Sequence, residues 1–257
     1  MSTITTDSPT QFDPALSAAR RALYRFAALA FGDPLNGTWQ KLSDPGTRTC
    51  VRAACELLRE EPTAVAASLG LGEARLDQLD PTAMFARLPN SAEALNDEYE
   101  RTFGLLVAAA CPPYETEYID GKLSFQRSQQ LADIAGFYQA FGVEPGAERP
   151  DHIALELEFL ALLIELEVRA ETAHQILVSR EAQTNFVGNH LAWWLPSFSR
   201  LLLKEAPQSF FAAVGELLCA FLPAEHSLLG IEPPLTPTRP SQIERPEECE
   251  GCVLQSL

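Results

Sequence analysis

Five residues, Glu148-Arg149-Pro150-Asp151-His152, stand immediately before an apolar run from Ile153 to Leu166. Asp151 and His152 are adjacent titratable groups of the kind that can exchange protons near neutrality, histidine being the side chain whose ordinary pKa lies in that range. The same residues also suit a plainer task. Pro150 cannot continue a helix from upstream and biases Arg149 towards extended backbone. Asp151 is then placed to cap the new helix by accepting the free amide hydrogens of its first turn. A helix start needs one cap, and Glu148, His152 and Glu156 crowd it beyond that need. Taken alone, the segment is described well enough by a capped helix with an incidental histidine.

A second cluster lies at Tyr114-Glu115-Thr116-Glu117-Tyr118, after Cys111-Pro112-Pro113 and before Asp120-Gly121. Aromatic rings stack on guanidinium planes and carboxylates grip them with paired hydrogen bonds, so this composition suits an arginine-bearing peptide. The alternative is a partly buried loop whose tyrosines fill the core while its glutamates stay in water. A third group, Cys249-Glu250-Gly251-Cys252, is a C-x-x-C. It is half of a typical four-ligand zinc site, which His226, a second chain or a partner would have to complete; it is equally a redox pair or neither. The histidines, His152, His174, His190 and His226, form no H-E-x-x-H spacing, and the chain carries no G-x-S-x-G, P-loop or G-x-G-x-x-G. No catalytic residue is assigned, no cofactor is expected, and Cys249 and Cys252 are the metal candidates.

These groups must be positioned by helices. Alanine and leucine dominate, β-branched runs are scarce, and apolar residues recur at helical spacing through most of the chain. Asp13-Pro14 starts a first helix and Gly32-Asp33-Pro34 stops it. Leu16, Ala19, Leu23, Phe26, Ala27 and Ala30 share its apolar face, and the arginines Arg20 and Arg21 are expected to point away. Val51, Ala54, Cys55 and Leu58 mark a second helix ending near Pro62, with short turns at 64–69 and 76–79. Leu95, Tyr99 and Phe103 then repeat at i, i+4. Residues 105–123, with consecutive prolines and a D-G turn, form a long irregular stretch of the kind that more often carries function. A helix resumes at Ser124, burying Leu131, Ile134, Tyr138 and Phe141, and the run from Asp151 is apolar on nearly all sides, as a central helix is. Two more follow: one holds Phe186, Leu191, Trp194 and Leu195 with a kink at Pro196, the other Phe210, Val214, Leu217, Leu218 and Phe221. The expected fold is all-α, a single globular bundle of roughly eight to ten helices over 13–222, with a flexible N-terminus at 1–12 and a Pro-rich tail at 223–257 carrying the C-x-x-C.

A balance of 35 acidic against 19 basic residues gives a formal net charge of −16. That disfavours nucleic acid as a partner and favours a cationic one at long range. No uncharged apolar stretch reaches transmembrane length. Arg20-Arg21 is followed by an apolar run that Arg25 interrupts, which is too short for an export signal. A cytoplasmic protein without an integral membrane segment is expected. Cys50, Cys55, Cys111 and Cys219 fall in apolar or helical contexts and are expected as reduced, buried thiols.

Three segments, taken in order, resemble the TorD/DmsD/NarJ family of molybdoenzyme-specific chaperones. Glu98-Tyr99-Glu100-Arg101-Thr102-Phe103 is similar to the family's aromatic-x-x-Leu-Phe helix segment, with Thr102 where leucine is usual. Pro113 to Tyr118 resembles its proline, aromatic and acidic loop. Glu148-Arg149-Pro150-Asp151-His152, with Glu156-Leu157-Glu158-Phe159 beyond, resembles its most specific signature. The resemblance implies an all-α chaperone and no catalysis. Such a protein binds the catalytic subunit of a DMSO-reductase-class molybdenum-cofactor enzyme, often through its twin-arginine signal peptide, and holds it in the cytoplasm until the cofactor and iron–sulfur clusters are in place. The resemblance also implies a peptide groove lined by Tyr99, Phe103, Tyr114, Glu115, Tyr118, Glu148, Pro150, Asp151, His152 and Glu156, in a monomer or segment-exchanged dimer. Glu117 is a further carboxylate candidate, and His152 is expected to orient Asp151 or to bond the peptide backbone. The residues themselves leave two other readings open: a small all-α enzyme using Asp151 and His152, and a metal-dependent assembly factor acting through Cys249 and Cys252.

Overall fold

The computed structural model describes residues 13–78, 80–104, 110–119, 124–146 and 148–233. The N-terminus at 1–12, the Asp120-Gly121 turn, Cys249 and Cys252 lie outside the described residues. The helices are α1 (Pro14–Phe31), α2 (Thr38–Ser43), α3 (Pro45–Glu60), α4 (Pro62–Val65), α5 (Pro81–Ala86), α6 (Ala92–Phe103), α7 (Ser124–Ala140), α8 (Ile153–Val168), α9 (Ala173–Phe186), α10 (Ala192–Glu205) and α11 (Phe210–Leu229), with 3-10 turns at Leu76–Gln78 and Glu115–Tyr118. Among the described residues no strand forms, and the all-α expectation holds.

Acid–proline pairs start four of these helices. Asp13, Asp44, Glu61 and Asp80 each turn a carboxylate onto amide hydrogens of the first turn, and the proline that follows occupies a position where no N–H is needed. α1 packs along α8 and α3, α8 also packs on α9, and α10 packs on α11. α3 buries Val51, Ala54, Cys55 and Leu58, the stripe its spacing predicts. Cys50 stands one position off that stripe and is exposed, so it is not a buried thiol; Cys55, Cys111 and Cys219 are buried. α9 and α10 form one continuous run, joined by a π-turn at Val187–Leu191.

Arg20 does not point away from the core. Its guanidinium grips Glu225 of α11 through Nε (2.5 Å) and Nη2 (2.8 Å), and Nη2 also donates to Gln183 Oε1 (3.0 Å). The Tyr24 hydroxyl donates to Glu225 Oε2 at 3.0 Å. Gln183 carries the chain of contacts onward, donating to Glu167 (2.7 Å), which meets Arg180 (2.7 Å). The periodicity of α1 places Arg20 beside its apolar face. What makes burial tolerable is an acid 205 residues away, which no local pattern announces.

The tail does not begin at residue 223. α11 runs on through Pro223 to Leu229 and is closed by Gly230 in the left-handed region, at φ 68°. Pro223 has no N–H to offer the carbonyl of Cys219; the backbone N–H of Ala74 takes that place at 3.0 Å. Buried Ala224, Glu225 and His226 then hold the final turns in the core. By length and composition α11 could cross a membrane, but 78% of its apolar window is buried against the bundle, the condition of a core helix.

Removing one partner of a buried ion pair strands the other charge. Glu225→Ala is expected to lower stability by about 3–5 kcal/mol, read as a lower midpoint in urea denaturation. The double change Arg20→Met/Glu225→Met, which removes both charges, is expected to be far milder by the same measurement.

Candidate functional site

The site forms where two loops meet the start of α8. Prolines 112 and 113 keep the chain out of helix. Tyr114 then pairs with His152 in an isolated antiparallel bridge. Ile153 N–H donates to Pro113 O (2.9 Å) and Glu115 N–H to Asp151 O (3.0 Å). From the opposite side Tyr138 of α7 donates its hydroxyl to Pro150 O at 2.8 Å. The backbone of the 148–152 loop is therefore clamped on both flanks, by backbone groups on one side and by the Tyr138 hydroxyl on the other.

Asp151 does not cap α8. His152 does, its Nδ1 accepting Ala154 N–H at 3.2 Å. The fully buried Asp151 carboxylate turns instead towards the 114–118 loop. Its Oδ2 accepts from the Thr116 N–H (3.1 Å) and hydroxyl (2.7 Å), and Arg149 grips both oxygens, Nε on Oδ1 at 3.0 Å and Nη2 on Oδ2 at 2.8 Å. A buried carboxylate is better served by a guanidinium fork and a hydroxyl than by the amides of a helix end alone. Arg149 also donates to Glu117 (3.2 Å) and Thr116 Oγ1 (2.9 Å), and lies 4.2 Å from the centre of the Tyr114 ring. Burial works against its charge, but hydrogen bonds and charges from Asp151 and Glu117 outweigh it and raise its pKa. Burial lowers the His152 pKa, with Glu148 and Asp151 opposing. The Nδ1 of His152 thus faces the helix amide, and the partners of the Asp151 carboxylate are Arg149 and Thr116.

Beneath this layer the acids face inward. Glu115, fully buried, accepts from Gln130 Nε2 (2.6 Å) and Trp193 Nε1 (2.8 Å), and its Oε2 lies 3.3 Å from His190 Nδ1. His190 sits in the π-turn, a rare geometry frequently found at functional positions. Glu156, one turn into α8, takes Trp194 Nε1 at 3.3 Å. Burial, reinforced by the nearby Glu115 and Asp151 charges, pushes Glu156 well above the usual carboxylate range and favours its protonated form.

Tyr114, Glu115, Tyr118, Glu148, Pro150, Asp151, His152 and Glu156 thus come together. Tyr114, Glu148 and Pro150 face solvent with Glu117 and Arg149; Glu115, Thr116, Asp151, His152 and Glu156 lie below. Tyr118 is buried against Trp194, ring centroids 5.1 Å apart. Tyr99 is half-buried at the margin, its phenol pushed up to about 12 by burial, with Tyr114 and Glu148 adding to the shift. Phe103 belongs to the core, in an aromatic cluster with Phe31, Phe198 and Phe211 at 5.1 to 6.3 Å. Thr116, Arg149, Gln130, His190, Trp193 and Trp194 complete the site without having been assigned roles from sequence. His190, Trp193 and Trp194 stand at i, i+3, i+4, a signal that could have grouped them. Among the described residues no set of three or more His, Cys, Asp or Glu is assembled to hold a metal. His226 is buried beside Glu73 at 3.3 Å.

Fold and site together define an all-α bundle with a preformed acid-aromatic corner at its surface. The family model described as the nitrate reductase delta subunit matches residues 66–200, more than half of the chain and the whole of this corner. The chain belongs to that family. It is 31% identical over 112 residues to a chaperone protein TorD of Vibrio cholerae, covering 43% of this chain and 50% of that protein. It is 36% identical over 108 residues to the selenate reductase assembly chaperone protein of Thauera selenatis (40% and 55%). It is 33% identical over 107 residues to the chlorate reductase assembly chaperone protein of Ideonella dechloratans (40% and 54%). The matches span about half the length of these curated relatives.

The raised pKa of Glu156 fixes a sign. Stability owed to its protonated form is complete below the unfolded value of about 4.3 and declines as pH rises towards the folded one. Glu156→Gln, a permanent neutral mimic, is expected to remove that decline: calorimetric melting from about pH 5 to about pH 8 should show the wild type losing ground to the variant. A constant difference across that range would contradict the assignment.

Proposed function

We propose that this protein is a system-specific cytoplasmic chaperone for the catalytic subunit of a DMSO-reductase-class molybdoenzyme. In this reading it takes hold of the subunit's twin-arginine signal peptide and keeps the subunit for cofactor insertion before export or assembly. Membership of the nitrate reductase delta subunit family carries the proposal, because relatives similar to part of the chain are named as TorD and as assembly chaperones of selenate and chlorate reductases. The role is binding, not turnover. His152 is engaged as a helix cap and Asp151 is tied to Arg149 and Thr116, which leaves neither as a free base.

The corner is chemically suited to the task. Glu148 presents an exposed carboxylate, and beside it the Tyr114 ring and the Glu117 carboxylate already hold a guanidinium, that of Arg149. A formal charge of −16 draws a cationic segment in from a distance. Capture by the tagged full-length protein from its own host, followed by mass spectrometry, is expected to recover a molybdenum-enzyme catalytic subunit. Recovery of none, together with normal maturation of such enzymes in a deletion strain, would sink the proposal. Association with an arginine-bearing peptide is expected to slow markedly as added salt shortens the screening length from about 30 Å to about 8 Å, measured by stopped-flow fluorescence.

A further inference from the structure

The guanidinium held in this corner is the chain's own. Arg149 makes a two-bond fork with Asp151 (3.0 and 2.8 Å), donates to Thr116 Oγ1 (2.9 Å) and Glu117 (3.2 Å), and lies 4.2 Å from the Tyr114 ring centre. Carboxylate fork, hydroxyl, second carboxylate and ring face are the contacts by which a protein takes an arginine from a partner. With Arg149 in place the Asp151 side chain is 0% exposed, whereas that of Arg149 itself is 41% exposed. An outside arginine cannot reach Asp151 until Arg149 leaves. Its departure need not disturb the loop, because the backbone of the loop is held separately by Tyr138, Pro113 and Glu115.

We infer that Arg149 is a placeholder: it fills the arginine subsite of the docking corner, and a partner's arginine enters by displacing it. This rests on the reading of the corner as the seat of an arginine-bearing segment. The exchange swaps one guanidinium for another, so Asp151 faces a cation both in the resting corner and in the occupied one. Affinity is lost in return. A tethered arginine competes at high effective concentration, and only molecules with Arg149 swung out are competent to bind. A lone arginine therefore gains little from entering. A segment that also offers a second cation to the exposed Glu148 carboxylate, or apolar contacts alongside, has the advantage.

The test uses calorimetry on the full chain with a synthetic peptide of two adjacent arginines followed by an apolar stretch, and with its Lys-Lys counterpart. Arg149→Ala is expected to bind the Arg-Arg peptide on the order of tenfold tighter than wild type. Arg149→Lys, which keeps the charge but loses the fork, should fall between them, and the Lys-Lys peptide should show no comparable gain. Circular dichroism checks that each variant is folded. Equal or weaker binding by folded Arg149→Ala overturns the placeholder; if that variant does not fold, equal or weaker binding by Arg149→Lys does so. If no form binds the peptide while the wild type still captures its catalytic subunit, the placeholder falls with signal-peptide recognition and the chaperone role stands. If capture fails as well, the chaperone role falls too.

Discussion

A carboxylate buried in a helical interior must be matched, and this bundle buries several. Glu225 is matched by the Arg20 fork, Glu167 by Gln183 and Arg180, Asp151 by Arg149 and Thr116, and Glu115 by the neutral donors of Gln130 and Trp193. Glu156 meets the same demand differently, by favouring its protonated form. Because most of these donors come from a different element, the matching sets the arrangement of helices. Apolar contacts are non-directional and leave packed helices free to slide, whereas a fork between Arg20 and Glu225 is satisfied in only one register. The line from Glu225 through Arg20, Gln183 and Glu167 to Arg180 joins α11, α1, α9 and α8.

The same demand shapes the corner at the start of α8. Its solvent-facing layer of Tyr114, Glu117, Glu148 and Arg149 is adjustable, since these side chains keep part of their surface in water. In the layer beneath, Glu115 is bonded to α7, the π-turn and α10 and Glu156 to α10, while Thr116 and Asp151 are bonded to each other and His152 to the first turn of α8. A bonded layer under a partly exposed polar face is an arrangement that holds recognition groups in place. The π-turn contributes by carrying His190 and preceding Trp193 and Trp194, so that their polar atoms meet Glu115 and Glu156.

Local signals in the sequence were reliable where local physics decides. Asp13-Pro14 opened α1, and the Val51, Ala54, Cys55 and Leu58 stripe is the buried face of α3. The same acid–proline signal at Asp44-Pro45 and Asp80-Pro81 also marks helix starts, and α5 is legible by it. Pairings across the fold were not legible. Arg20 reads as a solvated arginine until Glu225 arrives from α11, and Asp151 reads as a cap until Thr116 and Arg149 outbid the helix amides. Pro223 reads as a stop because its effect depends on whether some other group will take the orphaned Cys219 carbonyl, and Ala74 does so from a distant loop. The resemblance of three segments to a known family groups the residues of the corner, but which of them lie above and which below is a property of packing alone.

The span between Arg20 and Glu225 also has a bearing on time. A ribosome makes α1 long before α11, so Arg20 waits through 205 residues of synthesis for the acid that lets it be buried. Contacts this distant in sequence are costly to close early, because the intervening chain must be ordered first. Until α11 emerges, the polar spine through α1, α8 and α9 lacks its terminal anion. Among the described helices α11 thus locks α1, and a chain interrupted before Glu225 would leave Arg20 of α1 without its anion.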